Sequence, residues 1–326
     1  MRSLFKSNPG EDGFVMIVVL LMLSLFALVA IGLQRTVVVD VRLASNVAHR
    51  ARAEALADGI ARLAVQHLVN NVPSAGRSGP FRLDGVPLTC RAGASVVSIA
   101  FLNVDGQINI NQASEVLLQR VLRGVGIAET EATRLAQNIV DFRTAGDQSI
   151  AGGSKSEIYL QNGLQHGPKN APFQSVGELE QVAGITRPLL ERLRPLMTVY
   201  SRSGVVSPSA IGLGVAMALA GETAAVQDLD RLKASLDLPT AMTFVPRSGR
   251  GSTATGSNTY MVQVAVRRGG VERFTRATVV ELRGRTPGGT MIREWTELDQ
   301  NRQAVAPAPV DDVPQCIGGL LWVDPV

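Results

Sequence analysis

Residues 14–33 read FVMIVVLLMLSLFALVAIGL, twenty positions without a charge. At about 1.5 Å of rise per residue this run makes roughly 30 Å of helix, the thickness of a hydrocarbon core. A short leader, MRSLFKSNPGEDG, precedes it, carrying Arg2 and Lys6 and ending at Gly13. Beyond Leu33 the apolar run passes straight into a second helical pattern, in which Val37, Val41, Ala44, Ala48, Ala51, Ala55, Ile60, Leu63 and Leu68 recur at three- and four-residue spacing. No Pro interrupts the chain between Phe14 and Pro73. The two patterns together predict one helix of about 55 residues, with an alanine-rich face suited to close packing.

Three readings of the apolar run compete. A secretory signal peptide has a shorter core and a small-x-small cleavage site, and Val29-Ala30-Ile31-Gly32 matches that poorly. A plain anchor keeps its whole N-terminus. A prepilin-type signal is cut on the leader side, between Gly13 and Phe14, and leaves the apolar run on the mature chain. A short basic leader ending in Gly, a Phe, and an apolar run without a spacer favour the third reading. Arg2 and Lys6 place the N-terminus in the cytoplasm by the positive-inside rule, with everything after Leu33 across the membrane.

The length of 326 residues allows one large or two modest domains beyond this helix. The net charge of +4 is small and no run of like charge occurs, so the chain presents no polybasic patch for nucleic acid or lipid. All but four of the 32 basic residues are Arg, a skew more in keeping with genomic base composition than with a binding device. Cys90 and Cys316 are too far apart in sequence for a CxxC site, and two thiols alone make no zinc cage. Either they form an extracytoplasmic disulfide or they are two buried, unpaired thiols.

From Asn70 to Gly106 Pro and Gly punctuate short apolar stretches, and 88–91 and 95–103 (SVVSIAFLN) read as strands. A helical region follows, with a weak repeat of helix, Gly turn, helix. Its first unit contains INQASEVLLQRVLRGVGI and ETEATRLAQNIVDFR, with Asn111 as the expected N-cap. The second contains PFQSVGELEQVAGI and TRPLLERLRPLMTVYS, with Ser175 and Glu178 spaced as a capping box and Pro188 opening the next helix. A third, looser unit begins at Val206, reaches Gly221 and is followed by ETAAVQDLDRLKASL. Such hairpins invite comparison with DNA-binding modules that hold a phosphate at a Gly-rich turn. Against this, Arg120, Arg123, Arg134 and Arg143 are balanced by Glu115, Glu129, Glu131 and Asp141, and two of those acids follow the first turn. The loop TAGDQSIAGGSKSEIYLQNGLQHGPKNAP (144–172) would wrap a cation through Asp141, Asp147, Glu157 and backbone carbonyls, or be a surface loop without metal. TYMVQVAVRR and VERFTRATVVELRG then read as a hairpin, and IREWTEL as a last strand. No GxSxG elbow, P-loop, dinucleotide fingerprint or paired-His motif appears, so the chain is read as non-enzymatic.

The order of these parts resembles the minor pseudopilin K family of type II secretion systems. The residues that carry the resemblance are Gly13-Phe14 with the apolar run, RARAEALADGIARLAV on the long helix, INQASEVLLQRVLRGVGI, NIVDFR, HGPKNAPFQSVGELEQVAGI, LMTVYSRSGVVSP and the closing strands. Most pilins and pseudopilins carry Glu at the fifth mature position. Counted from Phe14 that position is Val18, and lack of this Glu is typical of the K component. A buried carboxylate in lipid is costly unless a neighbouring subunit meets it, so Val18 suits the end of a filament.

The resemblance implies an α+β, pilin-like fold, a long N-terminal helix packed on an antiparallel sheet, with a large inserted α-helical domain of helix-hairpin-helix or SAM-like units. The expected organisation is a leader (1–13), a transmembrane helix (14–34), an amphipathic stalk (35–70), the first part of the sheet (71–108), the inserted domain (109–205), a further helical unit and linker (206–258), closing strands (259–300) and an irregular tail (301–326). It implies cleavage between Gly13 and Phe14 by prepilin peptidase with N-methylation of Phe14. It implies partnership with the I, J and H pseudopilins at the pseudopilus tip, contact with the inner-membrane assembly platform, and no nucleic acid. The expected location is the inner membrane, single-pass, with the bulk of the chain periplasmic and a part in starting assembly and in export of folded proteins. Relatives bind calcium in the acidic loop, which assigns Asp141, Asp147 and Glu157 as its ligands here, but Thr144, Gly146 and Lys155 stand where relatives are often acidic. The alternative function is a membrane-anchored, extracytoplasmic helix-hairpin-helix protein that binds DNA.

Overall fold

The computed structural model describes residues 12–71, 82–221, 229–236, 258–269, 271–283, 289–298, 313 and 316. The chain divides into two compact units, Met1–Arg52 and Ala53–Val326.

The first unit holds the start of helix α1, which runs from Asp12 to Asn71. Phe14 to Val29 carry their large apolar side chains exposed, from 41% at Val18 to 70% at Phe14. Among the described residues no helix is long and apolar enough to cross a membrane. This corrects the expected transmembrane helix over 14–34 and, with it, the expected single-pass inner-membrane location.

In the second unit the rest of α1 lies on a five-stranded antiparallel sheet of order β1-β2-β5-β6-β7. Its strands are β1 (Leu88–Ala92), β2 (Ser95–Asn103), β5 (Thr259–Arg268), β6 (Val271–Leu282) and β7 (Thr290–Glu297). The period of two in SVVSIAFLN and TYMVQVAVRR sends Val97, Ile99, Phe101, Val262, Val264 and Val266 to one face. There they meet Ala53, Ala57, Ala61, Ala64 and Leu68 of α1. The helix stripe is almost all alanine, so its backbone approaches the sheet closely while the strands supply the volume. β2 pairs with β5 across more than 150 residues of sequence, Ile99 opposite Val264. Cys316 donates its N–H to the Arg91 carbonyl, 2.8 Å, and is joined by a disulfide to Cys90, with Cα atoms 5.0 Å apart. Of the expected tail 301–326, only residues 313 and 316 lie among the described residues.

Between β2 and β5 stands a helical block with its own core. It comprises α2 (Glu115–Gly124), α3 (Glu129–Arg143), α4 (Lys155–Gln161), α5 (Arg187–Leu193), α6 (Leu213–Ala220) and α7 (Leu229–Ser235), with a short parallel pair, β3 (Ile108–Asn109) and β4 (Met197–Thr198). Leu118, Val121, Leu122, Leu135, Ile139, Phe142, Leu179, Leu190 and Leu193 fill its centre. α2 and α6 pass so close that a Cβ on Gly124 would lie 1.7 Å from the Ala218 carbonyl oxygen, which only glycine permits. The second repeat departs from the expected pattern. Its first half is a 3₁₀ turn, Val176–Gln181, and Ser175 makes no side-chain cap. Lys169 instead holds the Glu178 carboxylate at 2.7 Å. Asn111 is not the cap of α2 either. Ser114 is, accepting from Leu117 N–H at 3.2 Å.

Candidate functional site

Three features of the chain carry functional information: the exposed apolar stretch of α1, the clamp that seats the lower part of α1 on the sheet, and the loop that follows α3.

The exposed stretch, Phe14 to Val29, offers a contiguous apolar surface, and surfaces of that kind mark interaction sites. The Gly13–Phe14 bond expected to be processed falls in the first turn of α1. Residues 1–11 of the leader lie outside the described residues.

The clamp is Arg276 of β6. Its Nε lies 2.6 Å from Asp58 Oδ1 and its Nη2 3.1 Å from Glu54 Oε1, one turn apart on α1. The guanidinium also sits over Phe274 and Trp295, 4.8 and 5.5 Å from their ring centroids. Two carboxylates and two rings thus fix the register of helix on sheet. Sequence reading missed this group because the partners are more than 200 positions apart.

On the helical block, polar side chains tie distant segments together. Asn111 accepts from Phe173 N–H at 2.7 Å and donates to the Phe173 carbonyl at 2.9 Å. Asn138 donates to the Ala183 carbonyl at 2.8 Å. Arg143 donates to the carbonyls of Ile110 and Ala113. Asp84 receives Lys233 at 3.0 Å and a two-pronged Arg82. Burial pushes the Asp84 carboxyl up, but the hydrogen bonds and charges of Arg82 and Lys233 outweigh it and hold the group below the usual carboxylate range. At the α2–α3 turn Arg123 pairs with Glu129 at 3.3 Å and Arg192 donates to the Val125 carbonyl at 2.6 Å.

The last turn of α3, the loop after it and α4 hold Asp141, Asp147 and Glu157, the residues expected to ligate calcium, and each carboxylate has its own donors. Asp141, 2% exposed, accepts from Ser149 Oγ at 2.6 Å and from Ile150 N–H at 3.0 Å. Asp147 accepts from Ser154 Oγ at 2.6 Å and from Ser156 through Oγ at 2.8 Å and N–H at 3.1 Å. These bonds hold its carboxyl below the usual range. Glu157 accepts from Gln161 one turn on, at 3.2 Å. Among the described residues no group of three or more His, Cys, Asp or Glu is arranged to hold a metal.

Residues 96–202 match the family of type II secretion system protein K. The matched span runs from β2 through the first two repeats and the loop, and ends just past β4. A chain from the crystal structure of the GspK-GspI-GspJ complex of the enterotoxigenic Escherichia coli type 2 secretion system has a similar fold. The TM-score is 0.50 at 12% identity, covering 77% of this chain and 96% of that one. The likeness bears on fold, an α+β arrangement of helix on antiparallel sheet with further helices. No curated protein matches the chain.

Proposed function

We propose that this chain is a structural minor pseudopilin of the type II secretion system. It assembles with the I, J and H pseudopilins at the pseudopilus tip and takes part in starting the filament that supports export of folded proteins. The match of residues 96–202 to the protein K family carries this reading. The exposed apolar stretch Phe14–Val29 supports it, since a subunit that packs beside neighbours leaves such a surface uncovered when alone. In this reading the helical block between β2 and β5 is a domain of hairpin units inserted into a pilin-like fold, and the segment 1–13 is removed before assembly by cleavage between Gly13 and Phe14.

Two measurements test the proposal. Co-expression with the I and J pseudopilins of the same secretion system should give a stable complex on size exclusion, and a chain that elutes alone from equimolar mixtures would overturn the assembly role. Intact mass from cells with active prepilin peptidase should show loss of residues 1–13 and one added methyl group. An unprocessed mass there would remove the processing step while leaving the complex to be judged on its own result.

A further inference from the structure

Lys155 is one of only four lysines in the chain and is 1% exposed. A buried ammonium is expensive unless oxygens surround it. Here its Nζ donates to the Thr144 carbonyl at 2.7 Å, the Asp141 carbonyl at 2.9 Å and the Asn170 side-chain oxygen at 3.2 Å. These three acceptors come from the end of α3, the start of the loop and its far end. The Lys155 N–H bonds the Asp147 carbonyl at 2.9 Å, which fixes the root of the side chain as well. Asn170 is the one non-glycine residue among those described with a positive φ, 55°, a backbone state that asparagine tolerates better than most residues.

The arrangement does what a bound cation does, gathering carbonyl and amide oxygens from separated stretches of a polar loop. The donor set does not fit calcium. That ion takes about six to eight oxygens at roughly 2.3–2.6 Å, carboxylates among them. Here the gathered oxygens surround an ammonium at lysine distances, and the Asp141, Asp147 and Glu157 carboxylates are bonded to Ser149, Ile150, Ser154, Ser156 and Gln161. A divalent ion entering this loop would have to displace those donors and lie close to a fixed positive charge.

We propose that the Lys155 ammonium is the resident cation of the loop between Thr144 and Asn170, so that this loop folds and keeps its shape without a divalent metal. The proposal does not depend on the assembly role.

Amide exchange of the full chain tests it, read over residues 144–170 in excess EDTA and in millimolar calcium chloride. The wild-type rates should be the same in both buffers. Lys155→Met should raise them about tenfold or more in both, since three acceptors lose a charged donor. Asn170→Gly keeps the positive φ, removes one acceptor and should give a smaller rise; it serves if Lys155→Met fails to accumulate. Slower wild-type exchange with calcium than with EDTA would overturn the proposal. So would Lys155→Met or Asn170→Gly rates equal to those of the wild type.

Discussion

The two ends of α1 invert the usual relation between hydrophobicity and burial. Phe14 to Val29 contain the largest apolar side chains of the helix and expose them, whereas Ala53 to Leu68 contain mostly alanine on the contact face and bury it. Burial follows what lies opposite, not the residue's own appetite for it. Alanine lets a helix approach a sheet whose valines, isoleucine and phenylalanines fill the interface. The larger side chains near Phe14 find no cover within their own unit, so their apolar area is available to other molecules. One stretch stabilises the fold and the other leaves its apolar surface uncovered.

Several experiments would break or sharpen that contrast. The largest effect on the seated side should come from the disulfide, which ties Cys316 to β1 beside the packed stretch of α1. Cys90→Ser or chemical reduction should cost about 2–5 kcal/mol in denaturant unfolding, while leaving Phe14–Val29 untouched. Next, Ala61→Leu pushes three heavy atoms into a fully buried contact and should cost about 1–3 kcal/mol, read as a lower unfolding midpoint. If the midpoint stays put, the alanine stripe is not the close contact described.

Arg276→Met should follow, at about 1–2 kcal/mol, because its partners Glu54 and Asp58 remain partly in water and solvent screens much of the pairing. The charge of Glu54 and Asp58 would then be unmatched, and the loss should shrink in high salt. A pH titration gives the second unit a handle that Phe14–Val29, with no titratable side chain, lacks. The lowered pKa of Asp84 contributes stability that is fully present above the ordinary carboxylate value and is lost as pH falls through the lowered one. Unfolding free energy should therefore drop below about pH 4, and Asp84→Asn should flatten that acid limb. The smallest stability change belongs to Leu20→Ala in the exposed stretch, within about 0.5 kcal/mol. In the proposed assembly role, its effect should appear in capture of the I and J pseudopilins. A large stability loss there would mean that Leu20 is covered by its own chain.

Much of the local structure was legible before any fold was known. An unbroken apolar-to-alanine pattern without Pro gave α1 nearly to its ends, and period-two runs placed β2, β5 and β6. Glycine turns at Gly126 and Gly184 adopt the positive φ that a reversal between packed elements demands. Other expectations failed for a common reason. Asn111 has the side chain of an N-cap, but Phe173, sixty-two positions on, offers both an N–H and a carbonyl in one place. Ser175 and Glu178 have capping-box spacing, but Lys169 and the 3₁₀ geometry redirect Glu178.

The sequence by itself determined what is periodic and local: the long helix, the strand faces, the turn glycines, and a polar loop with too few acids for comfort around a metal. Only the tertiary structure decided which distant groups meet. It joined β2 to β5 across the whole helical block, placed Arg276 over Glu54 and Asp58, brought Cys316 to Cys90 and buried Lys155 among three oxygens. The physical reason is range. Periodicity registers forces between residues a turn or a pleat apart, whereas the partner of a buried charge or thiol is fixed by how whole elements pack.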